Sequence, residues 1–290
     1  MLKQYGVHSM VAPLKRVLVK SPAETEREAQ AWREFGYYQP IDVARARREH
    51  EQFVELIVEA GAHVHYAQDP QAERLDSIFV FDPAIVTNEG AIICNMGKEL
   101  RRGEPHTMAK ELLALGVPIL ATIHGDGTLE GGDTLWLDEH TLVVGRTYRT
   151  NAEGIRQLRH ALDGIANVIE VALPHWRGQG EILHLLSLIS PINEKLAVVY
   201  APLMPIPFVE LLQARGIELL EIPDSEFKTQ ASNILTIAPN RVIMLKGNPI
   251  TAQRLRERGV EVWEYEGQEL SFNRDGGPTC LTRPVWRSEL

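Results

Sequence analysis

The feature that most constrains this 290-residue chain is a unit that recurs about every 50 residues. Helical stretches at 49–60, 107–115, 208–215 and 251–258 each run into one glycine: Gly61, Gly116, Gly216 and Gly259. A short apolar strand follows each, at 62–66, 117–123, 217–222 and 260–265. Glycine just past a helix supplies a left-handed cap that other residues resist. A fifth, looser copy has a helix over 152–162, Gly164 near its cap and a strand over 167–171.

Ahead of the later helices stand hairpin signatures, two apolar strands about a polar turn. They pair 84–87 with 91–94, 135–137 with 142–144, 188–190 with 196–199, and 234–237 with 242–245. The turns centre near 89, 139, 193 and 240, and a period this regular means repeated supersecondary units. The first module has only residues 16–19 before its helix, and the C-terminal stretch 279–282 is the candidate for its missing strand. That pairing closes a ring of five modules, none able to bury its apolar face alone. The predicted fold is therefore α/β, a closed ring of five ββαβ modules that makes one domain over 1–290. The competing reading is an ordinary α/β sandwich with accidental spacing. In a closed ring, one end of the central channel gathers loops from every module, so groups distant in sequence can meet there.

Composition narrows the partners. Thirty Lys and Arg against 39 Asp and Glu leave a net charge of −9. That argues against a nucleic-acid binder and suits a small cationic substrate. No run of 18 apolar residues exists, so no membrane partner is expected, and residues 1–20 lack the apolar core of a secretory signal. Two cysteines, Cys94 and Cys280, make no disulfide framework. The expected setting is the reducing cytoplasm.

Four clusters interrupt the apolar strands. Asp76 to Pro83 contains Asp82, which is read as ending an apolar strand before proline. Thr128-Leu129-Glu130-Gly131-Gly132-Asp133 sets two acids around two glycines, where the backbone can approach something closely. Glu181-Ile182-Leu183-His184-Leu185-Leu186-Ser187 sets a histidine in an apolar strand. Gly276-Gly277-Pro278-Thr279-Cys280 places a thiol beside a turn expected to be flexible, whereas Cys94 lies among strand residues and reads as a core thiol. Each cluster alone is more simply a turn, an acidic loop or a core histidine. Neither metal-ligand spacings nor GxSxG occurs, so no metal or other cofactor is expected. One thiol, one base and carboxylates on separate modules make a Cys/His/acid arrangement the most economical chemistry.

At these residues the chain resembles the dimethylarginine dimethylaminohydrolase branch of the pentein superfamily of guanidino-group-modifying enzymes. The resemblance runs through 41–50, 79–83, 129–133, Arg149-Thr150-Asn151, His184-Leu185-Leu186-Ser187 and Thr279-Cys280, in the family's order and approximate spacing. It implies a five-module α/β propeller. It also implies Cys280 as nucleophile and His184 as general acid and base, with Glu130 holding its ring. Asp82 would bind the substrate guanidinium and Asp76 its α-amine. Arg149, and by register Arg101, would grip its carboxylate.

These implied roles fit the chemistry. Resonance makes a guanidinium carbon a poor electrophile, so carboxylates must hold the cation while a thiolate attacks. A cysteine of ordinary pKa near 8.5 is mostly thiol at neutral pH, so the bound cation or His184 must favour the thiolate. The imidazole can then protonate the departing amine and deprotonate water. Arginine forks suit a planar carboxylate.

Two positions depart from the pattern. Phe81 stands where the family often has an acid, and Leu186 where it has lysine, or aspartate in arginine deiminases. Both bear on the guanidino substituent. The implied activity is hydrolysis of N-methylated arginine, a small cationic guanidino amino acid, to citrulline and an alkylamine. The alternatives are an amidinotransferase, a deiminase or dihydrolase, and a guanidino-binding protein without turnover. A homodimer is left open.

Overall fold

The recurring unit folds as a strand–strand–helix–strand module. The computed structural model describes residues 4–22, 29–68, 74–178, 180 and 183–289. Glu181 and Ile182 of the histidine cluster thus lie outside the described residues. The first module comprises β1 (Leu14–Val19), the short helix α1 (Trp32–Phe35), α2 (Val43–Glu59) and β2 (His63–Tyr66). Next come β3 (Ala84–Thr87), β4 (Gly90–Ile93), α3 (Glu104–Ala114) and β5 (Ile119–Thr122). The third has β6 (Thr134–Asp138), β7 (Thr141–Arg146), α4 (Ala152–Ala161) and β8 (Asn167–Ala172). The fourth has β9 (Ile189–Asn193), β10 (Leu196–Val199), α5 (Ile206–Ala214) and β11 (Glu218–Glu221). After the one-turn α6 (Asp224–Phe227), the fifth has β12 (Leu235–Ala238), β13 (Arg241–Leu245), α7 (Pro249–Arg256) and β14 (Glu261–Tyr265), and β15 (Arg283–Arg287) follows.

Local chemistry explains the punctuation. All five cap glycines are left-handed, with φ between +70° at Gly216 and +87° at Gly61. Helix α2 begins earlier than residue 49 because the Asp42 carboxylate accepts the Arg45 N–H at 2.9 Å. It buries Ala46, Glu49, His50, Phe53, Val54 and Ile57, the stripe of an amphipathic helix.

Five separate three-stranded sheets result. In each later module the hairpin is antiparallel, and the helix carries the chain to a parallel third strand. The first sheet has the order β15-β1-β2, so the two ends of the chain close the ring. The closing strand is Arg283–Arg287 rather than 279–282. Residues 277–282 instead form a helical turn, with Leu281 N donating to Gly277 O and Thr282 N to Thr279 O. Those local bonds take the Leu281 and Thr282 N–H groups away from a sheet ladder.

The ring's axis is packed rather than open. A residual cavity of about 20 Å³ is lined by Ile85 of β3, Thr134 of β6, Ser190 of β9, Thr236 of β12 and Arg283 of β15, one residue from each inner strand among others. That shared lining excludes the sandwich reading. Apolar clusters fill the space between sheets and helices, as where Phe53 and Ile57 of α2 join Leu235 and Ile243. No helix among the described residues is long and apolar enough to cross a membrane.

Candidate active site

A polar residue stands two to five positions ahead of each inner strand: Asp82, Glu130, His184, Asn233 and Cys280. Turns rather than strands carry them. Residues 75–78 form a 3-10 turn and 80–83 a further turn, so Asp82 ends no strand. Phe81 N donates to Cys280 O at 3.2 Å, tying this loop to the thiol's loop. His184 likewise precedes a 3-10 turn at Leu185–Ser187 instead of lying in a strand. These turns free both side chains from strand alternation, so they face one another across modules.

The centre is a buried network. Nε2 of His184 hydrogen-bonds Oε2 of Glu130 at 2.8 Å, and its Nδ1 lies 3.9 Å from Oδ1 of Asp82. Gly132 N donates to the same Asp82 oxygen at 2.9 Å. The glycine pair is required by this closeness. A Cβ on Gly132 would stand 2.6 Å from His184 Nδ1, and one on Gly131 would stand 2.3 Å from Phe81 O.

The electrostatics follow from burial and neighbours. Desolvation pushes the His184 imidazole toward neutrality, but Asp133, Asp82 and Glu130 outweigh it and lift its pKa to about 9. Burial would raise Glu130, yet the His184 hydrogen bond and Arg149 hold it far below the carboxylate range. Asp133 rises to about 6 through burial. Its carboxylate accepts Leu185 N at 3.0 Å and the Thr147 hydroxyl at 2.8 Å, fixing the loop that presents His184.

The arginines divide. Arg101 is turned inward, with Nη1 on Asp82 at 2.6 Å, Nε and Nη2 on Glu104, and Nη2 also on Phe79 O. Its fork is filled, so in this structure it organises Asp82 instead of offering itself to a carboxylate. Arg149 gives Nη1 to Glu130 at 3.2 Å and lines a cavity of about 250 Å³ with His175, Trp176 and Leu183. Asp76 already holds an ammonium, that of Lys98, at 2.6 Å, and accepts the Tyr37 hydroxyl at 2.8 Å.

Cys280 is partly buried and unpaired. Burial, then the charge of Asp82, pushes its thiol to about 11, against hydrogen bonds from Asn233 and Gly277. The Asn233 side chain donates to Sγ at 3.1 Å. The Gly-Gly-Pro turn is closely packed: a Cβ on Gly276 would stand 2.3 Å from the Phe79 ring, and one on Gly277 would stand 2.4 Å from Asn233. Cys94 is fully packed, and burial pushes its thiol far up.

Sequence reasoning missed Asn233 and Lys98, and it singled out the cluster that ends in Asp133 without giving that residue a role. Asn233 carried a usable sign, its position just ahead of an inner strand; Lys98, bound to Asp76 and through its backbone N–H to Glu130, carried none. Asp82, Glu130 and His184 also bring one ligand atom each within 4.8 Å of one another, a spacing open to a divalent cation. Local ligand spacing could not reveal it, since the three come from separate modules. In this structure the same atoms are engaged by Arg101, Arg149 and one another.

Phe81 and Leu186 line the axial cavity beneath the site and belong to one apolar cluster. Their side chains therefore fill the axis.

A family model described as N,N dimethylarginine dimethylhydrolase, eukaryotic, matches residues 18–285. The N(G),N(G)-dimethylarginine dimethylaminohydrolase of Pseudomonas aeruginosa is 28% identical over 274 residues, covering 92% of this chain and 98% of that protein. The protein of the same name from Streptomyces coelicolor is 28% identical over 278 residues, covering 93% and 96%. Among solved structures, a cysteine-to-serine variant of the Pseudomonas aeruginosa enzyme complexed with citrulline matches with a TM-score of 0.76 and 25% identity, covering 93% of this chain and 98% of that one.

Proposed function

This chain belongs to the dimethylarginine dimethylaminohydrolase family of guanidino-modifying hydrolases, which act on C–N bonds of linear amidines, and from that premise we propose that it hydrolyses an N-methylated arginine to citrulline and an alkylamine through a thiouronium on Cys280. The observation that carries the reading is the approach of Asp82 and His184, 3.9 Å apart and backed by Glu130, beside the loop that bears Cys280. A cation-binding acid, a protonated imidazole with the carboxylate that backs it, and a thiol thus come from four modules.

The acidic surroundings support a cationic substrate. Asp76, Asp82, Glu104, Glu130 and Asp133 are all buried about the site, and the charge of Asp82, shared with Arg101, opposes a thiolate at Cys280. A substrate guanidinium at Asp82 offsets that charge and lowers the cost of forming the Cys280 thiolate, whose proton leaves to solvent. Sulfur then bonds the guanidinium carbon. His184 gives its proton to the departing alkylamine as the C–N bond breaks, leaving the S-alkylthiouronium. Now neutral, His184 takes a proton from water as hydroxide adds to the same carbon. Collapse breaks the C–S bond as the hydroxyl proton leaves to solvent, where the released alkylamine takes one up, so citrulline departs and the thiolate returns. Glu130 holds the ring and favours its charged form.

In this reading Arg149 grips the substrate carboxylate from the 250 Å³ cavity, while Arg101 positions Asp82. The α-amine role of Asp76 requires exchange with the Lys98 ammonium. Homology to citrulline-binding relatives supports the product assignment. The test is a panel of arginine, methylarginines, agmatine and hydroxyarginine, with products identified by mass. Methylarginines yielding citrulline and alkylamine support the proposal. Transfer of the amidino group to an added amine, without citrulline, replaces it with an amidinotransferase.

A further inference from the structure

Arg283 and Arg287 stand four residues apart on β15, each 3% exposed, and both line the axial cavity. Alternation along a strand puts them on one face. Arg283 gives Nη1 to Phe81 O at 3.0 Å and to Ala84 O, and lies 3.9 Å from the Phe81 ring centre. Arg287 gives Nη1 to Ala12 O and Nη2 to Thr236 O at 2.8 Å. The Nε of each is buried without a hydrogen-bond partner among the described residues. Neither forms an ion pair among the described residues, and the Asp82 carboxylate, whose charge acts on Arg283, is held by Arg101.

Two guanidinium charges are thus buried on one axis with only carbonyl dipoles and a ring face to answer them. Burying an unpaired charge is costly, and an unmet buried donor calls for a partner. Burial lowers Arg283 to about 10 and Arg287 to about 9, the second also through its neighbour's charge, so both keep their protons at neutral pH. The Ser190 and Thr236 hydroxyls spend their protons on Ser232 O and Pro191 O, while the two arginine Nε–H groups remain without a partner among the described residues.

We propose that the axial cavity binds one small monovalent anion of chloride size, held by Nε–H of Arg283 and Nε–H of Arg287. The space of about 20 Å³ exceeds what one water needs and admits one monatomic ion. Guanidinium, weakly hydrated, suits such a buried pairing. Met10, Trp136 and Pro191 separate the axial cavity from a cavity of about 620 Å³ that reaches the hairpin turns at Asp138 and Asn193, the face from which an ion would enter. Because Arg283 binds the start of β3 and Arg287 binds β12, the anion would fasten the closing strand to two other modules.

The test has two arms. Thermal unfolding is measured at constant ionic strength in chloride, bromide and gluconate. The midpoint should stand a few degrees higher in either halide than in gluconate, and Arg287→Met should lose that difference. Crystals grown in bromide should show one anomalous peak on the axis beside both guanidinium groups. If Arg287→Met fails to fold, the wild-type halide series and the bromide crystal decide alone. Halide-independent unfolding, or bromide found only at the surface as an adventitious ion only, overturns the proposal.

Discussion

The Asn233 amide donates to Sγ of Cys280 at 3.1 Å while its oxygen accepts the Thr279 N–H at 3.1 Å, so one residue ahead of β12 sets both the height and the charge preference of the thiol ahead of β15. A hydrogen bond to sulfur favours the thiolate, opposing the burial that pushes this thiol to about 11.

Asn233→Ala should therefore move the alkaline-side requirement of the reaction upward. At neutral pH kcat/KM should fall by roughly 10- to 100-fold, the equivalent of about 1–3 kcal/mol for a lost hydrogen bond to a developing charge. The pH dependence of inactivation by a haloacetamidine reads the thiol directly. An unshifted profile would remove Asn233 from thiol tuning.

Cys280→Ser should abolish turnover, and Cys94→Ala should retain most of it at some expense of stability. Cys94 is 2% exposed with no route to substrate, so its truncation leaves only a small core cavity. Steady-state rates and denaturant midpoints of both variants check this. A fully active Cys280→Ser protein ends the covalent mechanism.

His184 should remain protonated at neutral pH in the substrate-free protein, with a folded-state pKa of about 9 raised above its unfolded value of about 6.5. Its stabilisation is complete below the unfolded pKa and is lost as pH rises through about 9, an effect on the order of 3 kcal/mol at most. The stability difference between wild type and His184→Asn should shrink over that window, read by urea unfolding at fixed ionic strength. Glu130→Gln should bring the imidazole titration down, visible by nitrogen NMR. A difference that grows with pH would contradict the sign.

Arg149→Ala should weaken binding of carboxylate-bearing substrates by roughly 2–5 kcal/mol and leave haloacetamidine labelling of Cys280 largely intact. Comparing a methylarginine with the corresponding decarboxylated guanidine on both proteins isolates the effect. Should the variant keep the wild-type preference, the carboxylate is held elsewhere.

Exhaustive chelation should leave the rate unchanged. Asp82, Glu130 and His184 could accept a divalent cation, so the outcome is open to refutation. Loss on chelation, restored by one metal at stoichiometric amounts, would assign those three as ligands and replace the thiol mechanism.

Much of this molecule is legible in its order of residues because the deciding interactions are local. A glycine after a helix must be left-handed, a polar turn must fold two apolar strands together, and five such units in series must bury their faces against one another. Gly61, Gly116, Gly164, Gly216 and Gly259 could therefore be read as caps, and Cys94 and Cys280 as core and loop thiols. What local chemistry could not decide is which partners meet between stretches distant in sequence. That Arg101 gives its fork to Asp82, that Lys98 occupies Asp76, and that Asn233 faces Cys280 across modules depends on contacts spanning 19 to 47 positions, set when the chain folds back and the ring closes. The same closure places Phe81, Leu186, Arg283 and Arg287 on the axis, where the distance to a charge and the exclusion of water, rather than residue type, determine what each group does.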